Sequence, residues 1–386
     1  MKILAVTGIR SDYDILYPVL DELRSGGNNI RIVVSGAHLS DFHKNTWKRI
    51  EEDGFEISDK IDSLFSTDRK VQRSKGAGAL IQGLATTVER EEPDFLLVVG
   101  DREESISTAL VGNYMEKLVL HIGGGDTVFG NADDPMRFAV SKLAHVHCCT
   151  ANEYAENLLR IGEEEFRVFW TGNPAYVNID NTEVILKKDI FKEIGFGKDN
   201  FDYVVLIKHP LSSEVDDAHH QMKITLEALE VFFVEKKYHT ICIQPNSDPG
   251  SFEMLEAIKE YRGKKWFHFA ETLHRDTFVN LIRYSKALVG NSSMGILEAP
   301  HYKLPVVNVG NRQKGRLNAG NVEFVDYNID EIVSALKLAC LDDDYRRKIQ
   351  VLKNPYGDGT AARKVREVME SVDLNDRKWY IKEKLC

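Results

Sequence analysis

The stretch LVGNSSMGILEAP, residues 288–300, decides how the chain is read. Ala287, Leu288 and Val289 are apolar without alternation, as in a strand buried on both faces, and they stop at Gly290 and Asn291. Ser292 and Ser293 carry the hydroxyls that open helices, so the stretch reads as a strand, a tight turn and a helix N-terminus. Free N–H groups at such a terminus, with the positive end of the helix dipole behind them, stabilise phosphate oxygens. Glu298, nearly two turns into the expected helix, lies too far along to cap it but is placed to accept hydrogen bonds from the neighbouring hydroxyls of a ribose. Taken alone, the same residues fit a serine-capped helix with a surface glutamate. Their surroundings decide between the two.

With 386 residues the chain exceeds one ordinary core and fits two domains. Hydrophobic content of 43% and charged content of 28% are those of a globular protein, and a net charge of −10 weighs against nucleic acid or an anionic membrane as partner. An anionic ligand must then be met by local arginines. The cysteines, with Cys148 and Cys149 adjacent and Cys386 terminal, have neither metal-ligand spacing nor a disulfide pattern, which fits a reducing compartment. No apolar stretch has the length of a membrane span and MKILAVTGIRSDYDIL is no signal peptide, so a cytoplasmic protein is expected.

Apolar strands are expected at 2–8, 30–36, 95–100, 118–122, 145–150 and 167–171, with helices between them at about 14–24, 42–52 and 71–91. Strands without inside-outside alternation, separated by helices, imply a parallel sheet covered on both faces, a Rossmann-like α/β domain. Gly172, Asn173 and Pro174 punctuate the chain, and 178–201 is polar and lysine-rich. A second βα series follows, with strands at 203–208, 240–244, 266–269, 287–289, 306–309 and 323–325, and the chain ends in helical stretches at 329–341, 361–372 and 375–384. The expected architecture is α/β, with two doubly wound Rossmann-like domains, 1–175 and 176–360, facing across a cleft. The helices of 361–386 are expected to pack back on the first domain. Ligands bind such sheets outside the carboxyl ends of the strands.

Polar groups recur at those ends. TGIRSDYDIL places Arg10 after the first strand, without the glycine spacing of a dinucleotide fingerprint. GDREES puts Asp101 and Arg102 where a strand gives way to a helix, and Asp101 fits equally well as that helix's cap. In HIGGGDTVFGNADDPMR, three glycines precede Asp126 as if the backbone approached something closely, and one of Asp133 and Asp134 should cap a helix opened by Pro135, leaving the other for chemistry. In the second series IKHPLSS places His209, PNSDPG places Asn246, and NRQKGR places Arg312 and Arg316 just past strands. Each is bland alone, and their convergence on strand ends is the signal.

Taken in order, GIRSDYDIL, GDREE, GGGDTVFGNADDPMRFAVSKLAH, KHP, PNSDPG, GNSSMGILEAP and GNRQKGR resemble the UDP-N-acetylglucosamine 2-epimerase family, in particular its hydrolysing, sialic-acid-type branch. The resemblance runs from Lys2 to about Leu374. It implies the glycosyltransferase-B arrangement, a nucleotide sugar as substrate, no cofactor, and dimers or tetramers. In the chemistry it implies, a base removes the C2 proton while UDP leaves C1, giving a glycal. Water then adds at C1 as a proton returns to C2 from the other face. By resemblance Asp101, Asp133 and His209 fall on acid-base or sugar-positioning positions, with Asp126 beside them. Arg10, Arg102, Asn246, Gly290, Ser292, Ser293, Glu298 and Arg312 fall on nucleotide and diphosphate positions.

Three departures cluster on the sugar side. Gly123 replaces a glutamate or histidine, Asp126 replaces a glutamate, and Phe138 replaces a histidine after Arg137. They point to a changed sugar or a changed acid-base assignment. The other readings are a non-hydrolysing epimerase, a glycosyltransferase of the same fold, and a non-catalytic nucleotide-sugar-binding protein. Metal is not implied, since the histidines lack ligand spacing.

Overall fold

The computed structural model describes residues 1–65, 71–127, 133–196, 201–211, 213–246, 248–271 and 273–382, without the side chain of Asp133. The chain divides into two compact units. Among the described residues, unit 1 comprises 1–127, 133–180 and 356–382, and unit 2 comprises 181–355.

Unit 1 runs β1 (Lys2–Thr7), α1 (Arg10–Ser25), β2 (Asn29–Ser35), α2 (Lys48–Glu52), β3 (Glu56–Ile61), α3 (Val71–Glu91), β4 (Phe95–Val99), α4 (Glu103–Tyr114), β5 (Leu118–Ile122), α5 (Asp133–Leu143), β6 (Val146–Cys149), α6 (Asn152–Arg160), β7 (Val168–Trp170) and α7 (Ala175–Asn181), whose last residue already belongs to unit 2. The strands are parallel in the order β3-β2-β1-β4-β5-β6-β7. Successive residues of β1 face opposite ways: Ile3 and Ala5 pack with Leu16, Val19 and Leu20 of α1, while Leu4 and Val6 pack with Leu80 and Leu84 of α3. Both faces are covered, which is why the strands read as continuous apolar runs.

Unit 2 runs α8 (Lys187–Glu193), β8 (Tyr203–Ile207), α9 (Ala218–Lys236), β9 (His239–Ile243), α10 (Ser251–Lys259), β10 (Phe267–Ala270), α11 (Arg275–Tyr284), β11 (Leu288–Gly290), α12 (Met294–Leu297), β12 (Val306–Val309), β13 (Val322–Val325), α13 (Ile329–Leu341) and α14 (Asp343–Gln350). Its sheet is parallel in the order β10-β9-β8-β11-β12-β13. Among the described residues, no helix is long and apolar enough to cross a membrane.

The last segment returns to unit 1 as α15 (Ala361–Glu370), where Val365 and Met369 join the core against α1. Arg167, fully buried, holds the segment beyond α15: its guanidinium donates to the carbonyls of Trp379 at 2.8 Å, Ile381 at 2.7 Å and Lys378. Lys382 Nζ donates to the α5 carbonyls of Ser141 at 3.1 Å and Lys142 at 2.9 Å, and pairs with Glu163 at 2.7 Å. A buried guanidinium and an ammonium thus satisfy carbonyls that would otherwise lack partners.

Five elements differ from the sequence expectation. The helix expected at 42–52 shrinks to α2, because Lys44 and Asn45 take left-handed φ values of 65° and 50° that break a helix. Strand β3 was not expected, since Glu56, Asp59 and Lys60 on this edge strand hide its pattern. Helix α14 was also missed, and within the described residues the helix expected at 375–384 is one 3-10 turn, Arg377–Trp379, opened by Asp376. Most consequential, the helix after Ser293 is the single turn α12, so Glu298 follows its end instead of lying two turns inside it. Pro300 disfavours helical backbone just ahead of it, and the N–H groups of Glu298 and Ala299 both turn to Met294 O at 2.9 Å.

Candidate active site

Each sheet reverses its winding once, and loops at the carboxyl edge part there to leave room for a ligand. In unit 1 the reversal lies between β1 and β4, in unit 2 between β8 and β11.

At the unit 1 edge, Asp101 caps nothing: α4 begins at Glu103 with Arg102 at its cap, and Asp101 instead forms a salt bridge with Arg137 of α5. The same guanidinium donates to Gly123 O at 3.1 Å and lies 3.5 Å from Asp126 Oδ2. Asp126 is 2% exposed and Arg137 9%, so the arginine joins two aspartates and a backbone carbonyl where water is scarce. His121 lies behind, its Nε2 2.8 Å from Gly100 O and its Nδ1 3.2 Å from Ser141 Oγ, and burial pushes it down to about 3, which keeps it neutral.

Beside this group, Glu104 fills the space over Gly8 and Gly36: a Cβ on Gly8 would lie 1.8 Å from its Oε1, and one on Gly36 2.7 Å. Ser35 Oγ donates to the same oxygen at 3.2 Å, and Arg102 Nε stands 3.8 Å from Oε2. Burial raises Glu104 despite Arg102. Arg10, expected in the loop, opens α1, with its Nε 3.9 Å from Asp14.

At the unit 2 edge the organiser is Asn291, 1% exposed. Its Oδ1 accepts the N–H of His209 at 2.7 Å and its Nδ2 donates to His209 O at 2.8 Å, joining the loops after β8 and β11. Its carbonyl accepts Arg312 Nη1 at 3.2 Å and Gln313 Nε2 at 3.0 Å. The N–H of Asn246 donates to His209 Nδ1 at 3.1 Å, so in the neutral ring Nε2 carries the proton. His209 therefore presents a donor. Gly290 has φ 123° and its Cβ position is 2.1 Å from Ile207 O, so no other residue fits there. Ser292 Oγ accepts the N–H of Met294 at 3.3 Å, while among the described residues no hydrogen bond takes up the N–H of Ser292 or Ser293. With α12 only one turn long, little helix dipole stands behind these N–H groups.

Asp101, Asp126, Arg102 and Arg10 thus gather at the edge of unit 1, and His209, Asn246, Gly290, Ser292, Ser293 and Arg312 at the edge of unit 2, with Glu298 just beyond α12. Arg316 is buried and bonded to Gln313 Oε1 at 2.5 Å, a support for the loop. The side chain of Asp133 lies outside the described residues; its backbone opens α5. The sequence reading missed Arg137 and Asn291 as organisers. Arg137 had a signal, since it stands one turn past a pair of aspartates near the start of a helix, whereas Asn291 passes for an ordinary turn residue.

A family model described as UDP-N-acetylglucosamine 2-epimerase matches residues 21–370. The UDP-N,N'-diacetylbacillosamine 2-epimerase (hydrolyzing) of Legionella pneumophila is 32% identical over 377 residues, 97% of each chain. The GDP/UDP-N,N'-diacetylbacillosamine 2-epimerase (hydrolyzing) of Campylobacter jejuni is 32% identical over 340 residues, 87% of this chain and 86% of its own. Among solved structures, the UDP-GlcNAc 2-epimerase of Neisseria meningitidis bound to UDP-GlcNAc has the same fold, with a TM-score of 0.81 at 20% identity over 96% of this chain and 100% of that one. From the ordered strand-end motifs, the two doubly wound sheets and the match across most of its length, the chain belongs to the UDP-N-acetylglucosamine 2-epimerase family, a family of enzymes.

Proposed function

We propose that the chain is a hydrolysing 2-epimerase, which takes a UDP-linked 2-acetamido sugar and releases UDP and the free sugar inverted at C2. The substrate is UDP-N-acetylglucosamine, giving N-acetylmannosamine, or a modified 2-acetamido analogue, in either case for a sialic-acid-like nonulosonate. The names of the two relatives at 32% identity favour the modified sugar. The observation that carries the reading is Arg137, which holds Asp101 against Asp126 at the winding reversal of unit 1. A weakly acidic C2 proton needs a carboxylate held in place and poorly hydrated, and Asp101 has that setting.

Asp101 takes the C2 proton, the C1–O bond breaks, and UDP leaves with the bonding pair. Asp126, almost fully buried, serves by orienting Arg137. On the nucleotide side, His209 Nε2–H, the N–H groups of Ser292 and Ser293, and Arg312 supply donors to the departing diphosphate, a leaving-group role in place of the acid-base or sugar-positioning role expected for His209. Water then adds to the glycal. An NMR time course in D₂O with UDP-N-acetylglucosamine and its 4-acetamido-4,6-dideoxy analogue tests this: free UDP and a C2-inverted sugar bearing deuterium at C2 are expected from at least one. Product that keeps its UDP would establish the non-hydrolysing reaction instead.

A further inference from the structure

We infer that Asp12 is the acid that delivers a proton to C2 in the second half of the reaction, an assignment that rests on the elimination and hydration proposed above. Asp12 stands in the first turn of α1, immediately after β1, and Asp101 stands immediately after β4. These strands are paired neighbours, from Ile3 beside Phe95 to Ala5 beside Leu97, so both acids occupy one edge at the winding reversal. The connection that leads from β1 into the first turn of α1 is packed by the Glu104 carboxyl, which leaves no room for a side chain on Gly8.

The two acids sit in opposite surroundings. Asp101 is paired with Arg137, whereas Asp12 is partly buried and its carboxyl makes no hydrogen bond or ion pair among the described residues. Its electrostatic neighbours are Arg102, Glu104, Asp101 and Glu103. Desolvation by burial, with the three carboxyl groups adding to it, outweighs Arg102 and pushes Asp12 up to about 8, so it holds a proton at neutral pH. Two carboxyl groups at one edge in contrasting surroundings are how acid and base are told apart.

In the hydration step the Asp12 O–H bond breaks and its proton joins C2, using the π pair of the glycal C1–C2 double bond. A lone pair of water forms the new C1–O bond. The proton shed by that water restores Asp12, and the proton earlier taken by Asp101 passes to solvent. Sugar nucleotide and water become free sugar, UDP and one proton.

The test is Asp12→Asn, which keeps the shape and lacks the acidic proton, assayed by NMR with the same two nucleotide sugars. UDP release should continue while glycal accumulates, and formation of free sugar should fall about 10²-fold or more. Asp12→Glu should recover much of the sugar formation. The assignment is overturned if Asp12→Asn makes free sugar at the wild-type rate, or if it loses UDP release in step with sugar formation. Wild-type protein that releases no UDP overturns the hydrolytic reading and this assignment with it, a result visible before any variant is made.

Discussion

At the winding reversal of unit 1, Asp101 is held by a guanidinium; at that of unit 2, His209 is held by an amide. The first edge is a set of ionisable groups, with Asp12, Asp101, Glu103 and Glu104 around Arg102 and Arg137. The second is a closed set of mostly neutral hydrogen bonds running from Asn246 through His209 and Asn291 to Gln313. The contrast fits what the proposed reaction would ask of each edge. Moving protons requires groups that change charge, and these are tuned by neighbours of either sign. Receiving a departing anion requires donors already in place, and a network of neutral groups stays organised without a counter-ion.

The largest effect expected from breaking this contrast is on rate. Asp101→Asn should slow UDP release by about 10²- to 10⁴-fold with affinity for UDP little changed, as measured by coupled assay and calorimetry. Release within a few-fold of wild type would mean that the charged edge does not move the C2 proton.

The next effect is on stability in acid. His38, His121 and His145 of unit 1 are pushed by burial down to about 3 from an ordinary 6.5. Glu163 is pulled down to about 2, since the His147 hydrogen bond and the charges of His147 and Lys382 overcome a burial that alone would raise it. The unfolded chain therefore binds more protons than the folded one, so each lowered histidine contributes stability that is present above pH 6.5 and is lost as pH falls toward 3. Glu163 adds a loss between about pH 4.5 and 2. Each fully responding group costs about 1.4 kcal/mol per pH unit. In unit 2, burial lowers His268 to about 4. Hydrogen exchange at pH 4 to 5 should show unit 1 opening before unit 2, and simultaneous opening would contradict the contrast.

The smallest effect tests the neutral edge. Asn291→Ala removes both bonds to His209, so UDP should bind about ten-fold more weakly, the equivalent of about 1.4 kcal/mol, and turnover at saturation should fall by about the same factor because the proposed leaving-group donor is loosened. A loss confined to turnover at saturation would place the amide in the chemistry instead.

Much of this was legible in the sequence because strands buried on both faces leave an unmistakable apolar mark. Their ends locate the carboxyl edges, where Asp101, Asp126, His209 and Ser292 stand. The features that escaped notice depend on partners distant in sequence. Arg137 gains its meaning from Asp101, and Asn291 from His209, 82 residues away. Asp12 escaped because nothing local marks it, its environment being built by the loop after β4. The short α12 was overestimated because Ser292 and Ser293 announce a helix start, while its early end is set by Pro300.

The clasp formed by Arg167 and Lys382 bears on the order in which the protein matures. Unit 2 is contained almost wholly in 181–355, whereas unit 1 takes part of its core from α15 and the carbonyls of 378–381, which are synthesised later. A growing chain halted at Pro355 would already contain nearly everything unit 2 needs, while the portion made first would still expose the face that α15 covers. The usual N-to-C progression of domain folding during translation is thereby inverted.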